Sequence, residues 1–161
     1  MIQIKTNTIL NFILLFSIFA LSGAYFIQFI LGHQPCNLCL FERIPYYLSI
    51  SLIVLNMVFK KFQKIILTLL SLTFICAAIL SFYHLGIEQG FIKDSLVCNL
   101  NSTNNSLSAE DILKELNSVS ISCKDVTFRF LGFSLATINT IISVILSIII
   151  IRLILINEKN K

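Results

Sequence analysis

Between residues 8 and 31 this chain carries no charged side chain, a run long enough to cross about 30 Å of hydrocarbon as a helix. Further apolar runs occupy residues 44–59, 65–85 and 131–156. Backbone in lipid has no water to bond, so each run must satisfy its own N–H and C=O groups, and a helix does so. Only 12% of the 161 residues are charged, against about a quarter in soluble domains. The chain therefore reads as an all-α integral membrane protein. It is expected to be a four-transmembrane-helix bundle forming one domain over residues 1–161, with no length left for a separate soluble enzyme. The net charge of +4 does not indicate nucleic acid as a partner, because the basic residues are scattered through loops and termini.

The spans are expected at approximately 8–31, 40–59, 65–85 and 131–156, with loops at 32–39 and 86–130. A cleaved signal peptide competes for the first, since Lys5 gives a basic start and Ser22-Gly23-Ala24 a small-residue cleavage site. The apolar run continues through Tyr25-Phe26-Ile27, however, past the roughly 7–15 residues of a signal's apolar region, so an uncleaved helix is expected. The second apolar run is short for a span. Its helix is expected to begin around Leu38, with Arg43 near the membrane boundary and Pro45 tolerated in the first turn of the apolar part. Lys5, Lys60, Lys61, Lys64, Arg152, Lys159 and Lys161 then fall on one side, while Arg43, Lys93, Lys114, Lys124 and Arg129 fall on the other. The connector with three lysines marks the cytoplasmic side. Both termini are accordingly expected in the cytoplasm and both cysteine-bearing loops outside it.

One stretch carries chemistry: Gln34-Pro35-Cys36-Asn37-Leu38-Cys39-Leu40-Phe41-Glu42-Arg43, a CxxC dithiol and an arginine where a loop enters the second span. If residues from Cys36 onward are helical, Cys36, Cys39 and Arg43 stand at i, i+3 and i+7, along one face. A thiol at a helix N-terminus with a cation nearby has its thiolate favoured, and the thiolate is the form that attacks disulfides. Four of the five cysteines, Cys36, Cys39, Cys98 and Cys123, lie in the two loops expected outside, where oxidation is permitted. Four cysteines allow three connectivities; local geometry favours Cys36–Cys39, which leaves Cys98–Cys123.

Two outer disulfides have a purely structural reading as loop staples: a bridge over the second loop stabilises by a few kcal/mol, whereas CxxC closes too small a ring to constrain the unfolded chain much. Catalysis is the better account of the CxxC pair, and Cys98–Cys123 suits either role. A zinc site of four thiolates is not expected, because C-x24-C lacks the second close pair of such sites. Cys76, in mid-span, reads as an inert apolar packer. Arg43 needs a partner or a task at the hydrocarbon boundary: lipid phosphate, Glu42, or a carbonyl of a lipid-soluble electron carrier. His84 and Glu88 stand at i, i+4 and read as a helix-end pair, or as an aid to proton uptake. His33 reads as a loop residue. Ser108-Ala109-Glu110-Asp111 looks like a helix start, with Ile112, Leu113 and Leu116 making a short amphipathic helix.

The pattern Pro35-Cys36-Asn37-Leu38-Cys39-Leu40-Phe41-Glu42-Arg43, opening the second of four spans, with Cys98 and Cys123 between the third and fourth, resembles the bacterial DsbB family. Tyr83-His84-Leu85-Gly86-Ile87-Glu88-Gln89-Gly90-Phe91 and Leu131-Gly132-Phe133-Ser134-Leu135-Ala136 are similar to that family as well. The resemblance implies a disulfide-forming protein dithiol:quinone oxidoreductase of the bacterial inner membrane. It implies that Cys98 is attacked by a reduced DsbA-type thiol oxidase and that Cys123 passes electrons to Cys36. Cys39 would then face a bound ubiquinone or menaquinone, polarised by Arg43. Two rivals remain open. One is a quinone-linked enzyme of the vitamin K epoxide reductase type, whose active CxxC belongs to the last core helix, whereas here it opens the second, which argues against it; the other is a non-enzymatic four-span scaffold with a stapled loop.

Overall fold

The computed structural model describes residues 2–93, 98, 123–124, 129–130 and 132–159. The amphipathic helix expected around residues 108–116 lies outside them. The chain is an all-α bundle with four helices long and apolar enough to cross a membrane: Thr6–Phe29, Asn37–Val58, Lys60–Glu88 and Leu135–Asn157. In order, these comprise α1 (Ile2–Phe29), α2 (Asn37–Phe41), α3 (Ile44–Val58), a 3-10 turn (Lys60–Phe62), α4 (Gln63–Glu88) and α5 (Leu135–Lys159). Two-residue strands β1 (Arg129–Phe130) and β2 (Phe133–Ser134) pair antiparallel just before α5.

The second span is made of two helices, and Pro45 is the reason. Proline has no N–H for the ladder, and its ring would crowd the carbonyl four residues back, that of Phe41. The α2 ladder therefore ends, with Arg43 N–H reaching Leu40 O at 3.2 Å, and α3 starts afresh with Pro45 in its first turn. Arg43 thus sits at the break and not midway along one continuous helix.

The other span ends are also set by local chemistry. Gly32, at φ 73°, follows the end of α1. α4 runs three residues beyond the apolar run that ends at Leu85, because His84 and Glu88 are accommodated by the bundle. It stops in a Schellman motif: Gly90, at φ 77°, donates to Ile87 O at 3.0 Å, and Phe91 N–H donates to Gly86 O at 2.9 Å. α5 begins at Leu135, later than the apolar run suggests, because Gly132 at φ 86° turns the chain between β1 and β2. Ser134 then caps the helix, its hydroxyl accepting Thr137 N–H at 3.2 Å.

Helices α4 and α5 share the largest interface, and α3 packs against both α1 and α4. Leu10, Ile13, Ile53, Leu70, Phe74 and Ile150 form the main core, with the Tyr46 ring edge-on to Phe74 at 6.3 Å. Ser17 and Ser49 hydroxyls bond at 3.0 Å inside it, and such small polar residues let α1 and α3 approach closely. Large apolar side chains such as Phe12, Phe19, Ile79 and Phe82 point outward, as a lipid-facing surface requires. A second buried cluster lies at the CxxC end. It holds Cys36, Leu38, Ile87, Cys98 and Cys123, with Cys39, Leu80, Tyr83 and Ile92 against it. The fold thus gathers four cysteines from two loops over the last turns of α4.

Candidate active site

Cys36 is the N-cap of α2, and its sulfur accepts the Cys39 N–H at 3.2 Å. The CxxC spacing over one helical turn carries the Cys39 sulfur to 2.6 Å from that of Cys36. The two sulfurs are adjacent and unbridged, so the pair is placed to form and break a disulfide with little movement. Cys98 and Cys123 are joined by a disulfide, with Cα atoms 5.9 Å apart.

His84, from the last turns of α4, links the dithiol to the bundle interior. Its Nε2 lies 3.6 Å from Cys36 Sγ, and its Nδ1 lies 2.7 Å from Glu42 Oε1. With the Nδ1 hydrogen donated to the Glu42 carboxylate, Nε2 is left to take up the Cys36 proton. Glu42 is held in turn from α5, where Asn139 Nδ2 donates to its Oε2 at 2.9 Å; Tyr46 O–H donates to Asn139 Oδ1 at 2.5 Å. His84 is 2% exposed and Glu42 8% exposed, so this chain of groups works largely away from water, where each bond counts for more. The Cys36 thiol is held well below the usual thiol range. The Cys39 hydrogen bond is the main cause, His84 and the Cys39 N–H add to it, and burial opposes it.

The i, i+4 pairing of His84 with Glu88 exists but is loose, at 3.8 Å. Its tighter partner is Glu42, 42 residues away in sequence. Arg43 turns toward α1: Nη1 donates to Gln28 Oε1 at 2.6 Å, and the guanidinium stacks 5.0 Å from the Tyr25 ring centroid. Tyr25 in turn bonds the Tyr47 hydroxyl. Cys76 faces outward from α4, apart from these groups.

A cavity of about 550 Å³ opens beside the dithiol. Phe16, Phe19, Ala20, Ile27, Ala136 and Ile142 give it apolar walls from α1 and α5, while Cys36, Cys39, Glu42, Arg43, His84 and Glu88 line its polar side and Cys123 also borders it. Cys36, Cys39, Arg43 and Cys123 therefore meet at one cavity, and Cys98 joins them through its disulfide.

The family model described as "Disulfide bond formation protein DsbB" matches residues 6–153. The chain belongs to the DsbB family. It is a multi-pass membrane protein of disulfide bond formation, a disulfide oxidoreductase by class. It is also similar to an uncharacterized protein, RP370, of Rickettsia prowazekii (strain Madrid E), at 31% identity over 156 residues, covering 95% of this chain and 91% of the relative. No solved structure matches it.

Within a DsbB-family site, Glu42, Asn139, Tyr46, Gln28 and Tyr25 are the residues that pattern reading left without a site role. A signal was present for two of them. Gln28 and Asn139 are amide side chains in otherwise apolar spans, where a polar group needs a partner. Glu42 was visible only as a neighbour for Arg43.

Proposed function

We propose that this protein reoxidises a periplasmic DsbA-type thiol oxidase and delivers the electron pair to ubiquinone or menaquinone in the bacterial inner membrane. Both termini and the lysine-rich connector then face the cytoplasm, and the CxxC end faces the periplasm. The observation that carries this reading is the apolar cavity with a dithiol, an arginine and a histidine along one wall. Its size is within the usual range for small-molecule sites, and its walls suit an isoprenoid-bearing ring with a few convergent polar groups. Arg43 would hold a ring carbonyl, and the apolar residues of α1 and α5 the remainder of the molecule. A quinone bound there supplies a two-electron, two-proton acceptor.

The thiol steps follow from the layout. A thiolate of the soluble partner attacks Cys98, the Cys98–Cys123 bond breaks, and Cys123 leaves as a thiolate. The partner's second thiolate releases Cys98 from the mixed disulfide. Cys123 attacks Cys36 of an oxidised Cys36–Cys39 pair, giving a transient Cys36–Cys123 bridge and freeing Cys39. Cys98 then displaces Cys36, so that the Cys98–Cys123 bond is restored and Cys36 and Cys39 hold the electron pair. As the pair gives up its electrons, His84 Nε2 accepts the Cys36 proton while Glu42 and Asn139 keep the imidazole aimed.

The test mixes purified protein with a reduced thioredoxin-fold oxidase and a short-chain quinone, following quinone absorbance. Turnover is expected, and Cys39→Ala is expected to abolish it. Undiminished turnover in that variant removes the electron path. A scaffold would show no turnover at all and would tolerate Cys36→Ser.

A further inference from the structure

The sulfurs of Cys36 and Cys39 and the Nε2 of His84 all lie within 4.8 Å of one another. Thiol exchange needs only one of those sulfurs beside the imidazole; three converging donors are the makings of a metal site. For a tetrahedral zinc ion, with Zn–S near 2.3 Å and Zn–N near 2.0–2.1 Å, the S···N edge is about 3.6 Å and the S···S edge about 3.8 Å. The Cys36–His84 edge is already 3.6 Å. The sulfur–sulfur edge, 2.6 Å here, must widen by about 1.2 Å, and Cys39 stands half-buried at the cavity wall with room to turn.

The surroundings are those of a ligating histidine. Its far nitrogen is bonded to a carboxylate, Glu42, which Asn139 steadies, and this fixes the tautomer that leaves Nε2 available. The cavity leaves one side of the trio open for a fourth ligand.

We propose that the reduced protein binds one thiophilic divalent ion, zinc, through Cys36, Cys39 and His84, with a solvent oxygen from the cavity as fourth ligand. Two S–H bonds are exchanged for two Zn–S bonds, two protons go to solvent, and neither sulfur nor metal changes oxidation state. With both sulfurs occupied, the Cys36–Cys39 disulfide cannot close. Zinc therefore holds the dithiol reduced and out of turnover, and oxidation of the pair expels it. The inference does not depend on quinone or on the soluble partner.

The test is site-resolved alkylation of the full-length protein in detergent, anaerobically reduced and freed of reductant, with and without zinc chloride. Zinc is expected to slow alkylation of Cys36 and Cys39 together by at least about tenfold. Glu42→Gln should raise the zinc concentration needed by about ten- to a hundred-fold, the usual effect of losing a histidine's outer partner. Cadmium is the second probe, on a Cys76→Ser/Cys98→Ala/Cys123→Ala protein. Its thiolate charge-transfer absorbance should saturate at one equivalent, be displaced by zinc, and be absent once the pair is oxidised. Unslowed alkylation of the two thiols under zinc overturns the proposal. So does protection that is the same in Glu42→Gln and His84→Ala as in the parent, which would mean chelation by two thiols alone.

Discussion

Replacing His84 by glutamine separates proton acceptance from packing. A glutamine amide still has an N–H to offer the Glu42 carboxylate, which receives the imidazole Nδ1 at 2.7 Å, but it cannot take the Cys36 proton. The loss is one hydrogen bond to an ionised sulfur, in a class worth about 1.5–3 kcal/mol. The 3.6 Å separation and the softness of sulfur put it at the lower end. At 1.36 kcal/mol per unit, Cys36 should titrate about 1 unit higher than in the parent.

The Cys39 hydrogen bond, the largest influence, remains, so the thiol stays below its ordinary range even in the variant. The sign is that of an acid with a depressed pKa. The Cys36 thiolate is present above the lowered value and lost as pH falls through it, whereas an ordinary thiol loses its thiolate near pH 8.5. The assay is the alkylation rate of Cys36, read peptide by peptide in anaerobically reduced protein from about pH 3.5 to about pH 9, a window that reaches below the lowered value and above the ordinary one. At the acid end the variant should react about tenfold more slowly, since one unit is tenfold in thiolate. Superimposed profiles would show that His84 does not take the proton, and the role given to Glu42 behind it would fall as well.

Three further outcomes are expected. Arg43→Ala removes the guanidinium from the cavity, so the quinone KM should rise by about tenfold, one charge-assisted bond of about 1.5 kcal/mol, with kcat reduced less; an unchanged KM would place the quinone elsewhere. Gly90→Ala puts a side chain at φ 77° and should cost about 1–2 kcal/mol, read as a lower thermal midpoint in detergent, whereas an unshifted midpoint would deny the Schellman stop its role. Lys61→Cys should react with a membrane-impermeant maleimide only after cells are permeabilised; labelling of intact cells would invert the orientation and place the CxxC on the cytoplasmic side.

The parts of this molecule that were legible in sequence are those written locally. Uncharged runs announced four membrane helices, because each run is complete within about 25 residues; CxxC and Arg43 are as local, and both border one cavity. Pro45 was placed in a first turn by the same kind of reasoning, and α3 begins there. The helix starting at Cys36 was read as continuous because hydropathy does not register the ladder bond that Pro45 removes. The break turns Arg43 toward Gln28 and Tyr25 while it still borders the cavity that the two sulfurs line. The outer ends of α4 and the start of α5 were displaced for a related reason. Glycine dihedrals and the Ser134 cap, not hydropathy, decide where those helices stop and start. The links that join Glu42 to His84 and to Asn139 stayed hidden because they span 42 and 97 residues of sequence, distances that only packing of α2, α4 and α5 closes.

That separation also explains how a carboxylate can sit at this depth. An unpaired Glu42, 8% exposed beside hydrocarbon, would be costly, and neither His84 nor Asn139 alone saturates its two oxygens. The site is tolerable only when three helices have met and each oxygen has its donor. The imidazole is aimed at Cys36 by the same bond that satisfies the acid. Assembly of the bundle and activation of the thiol are therefore one event: a chain with α5 out of place keeps its CxxC but lacks a fixed proton acceptor beside it.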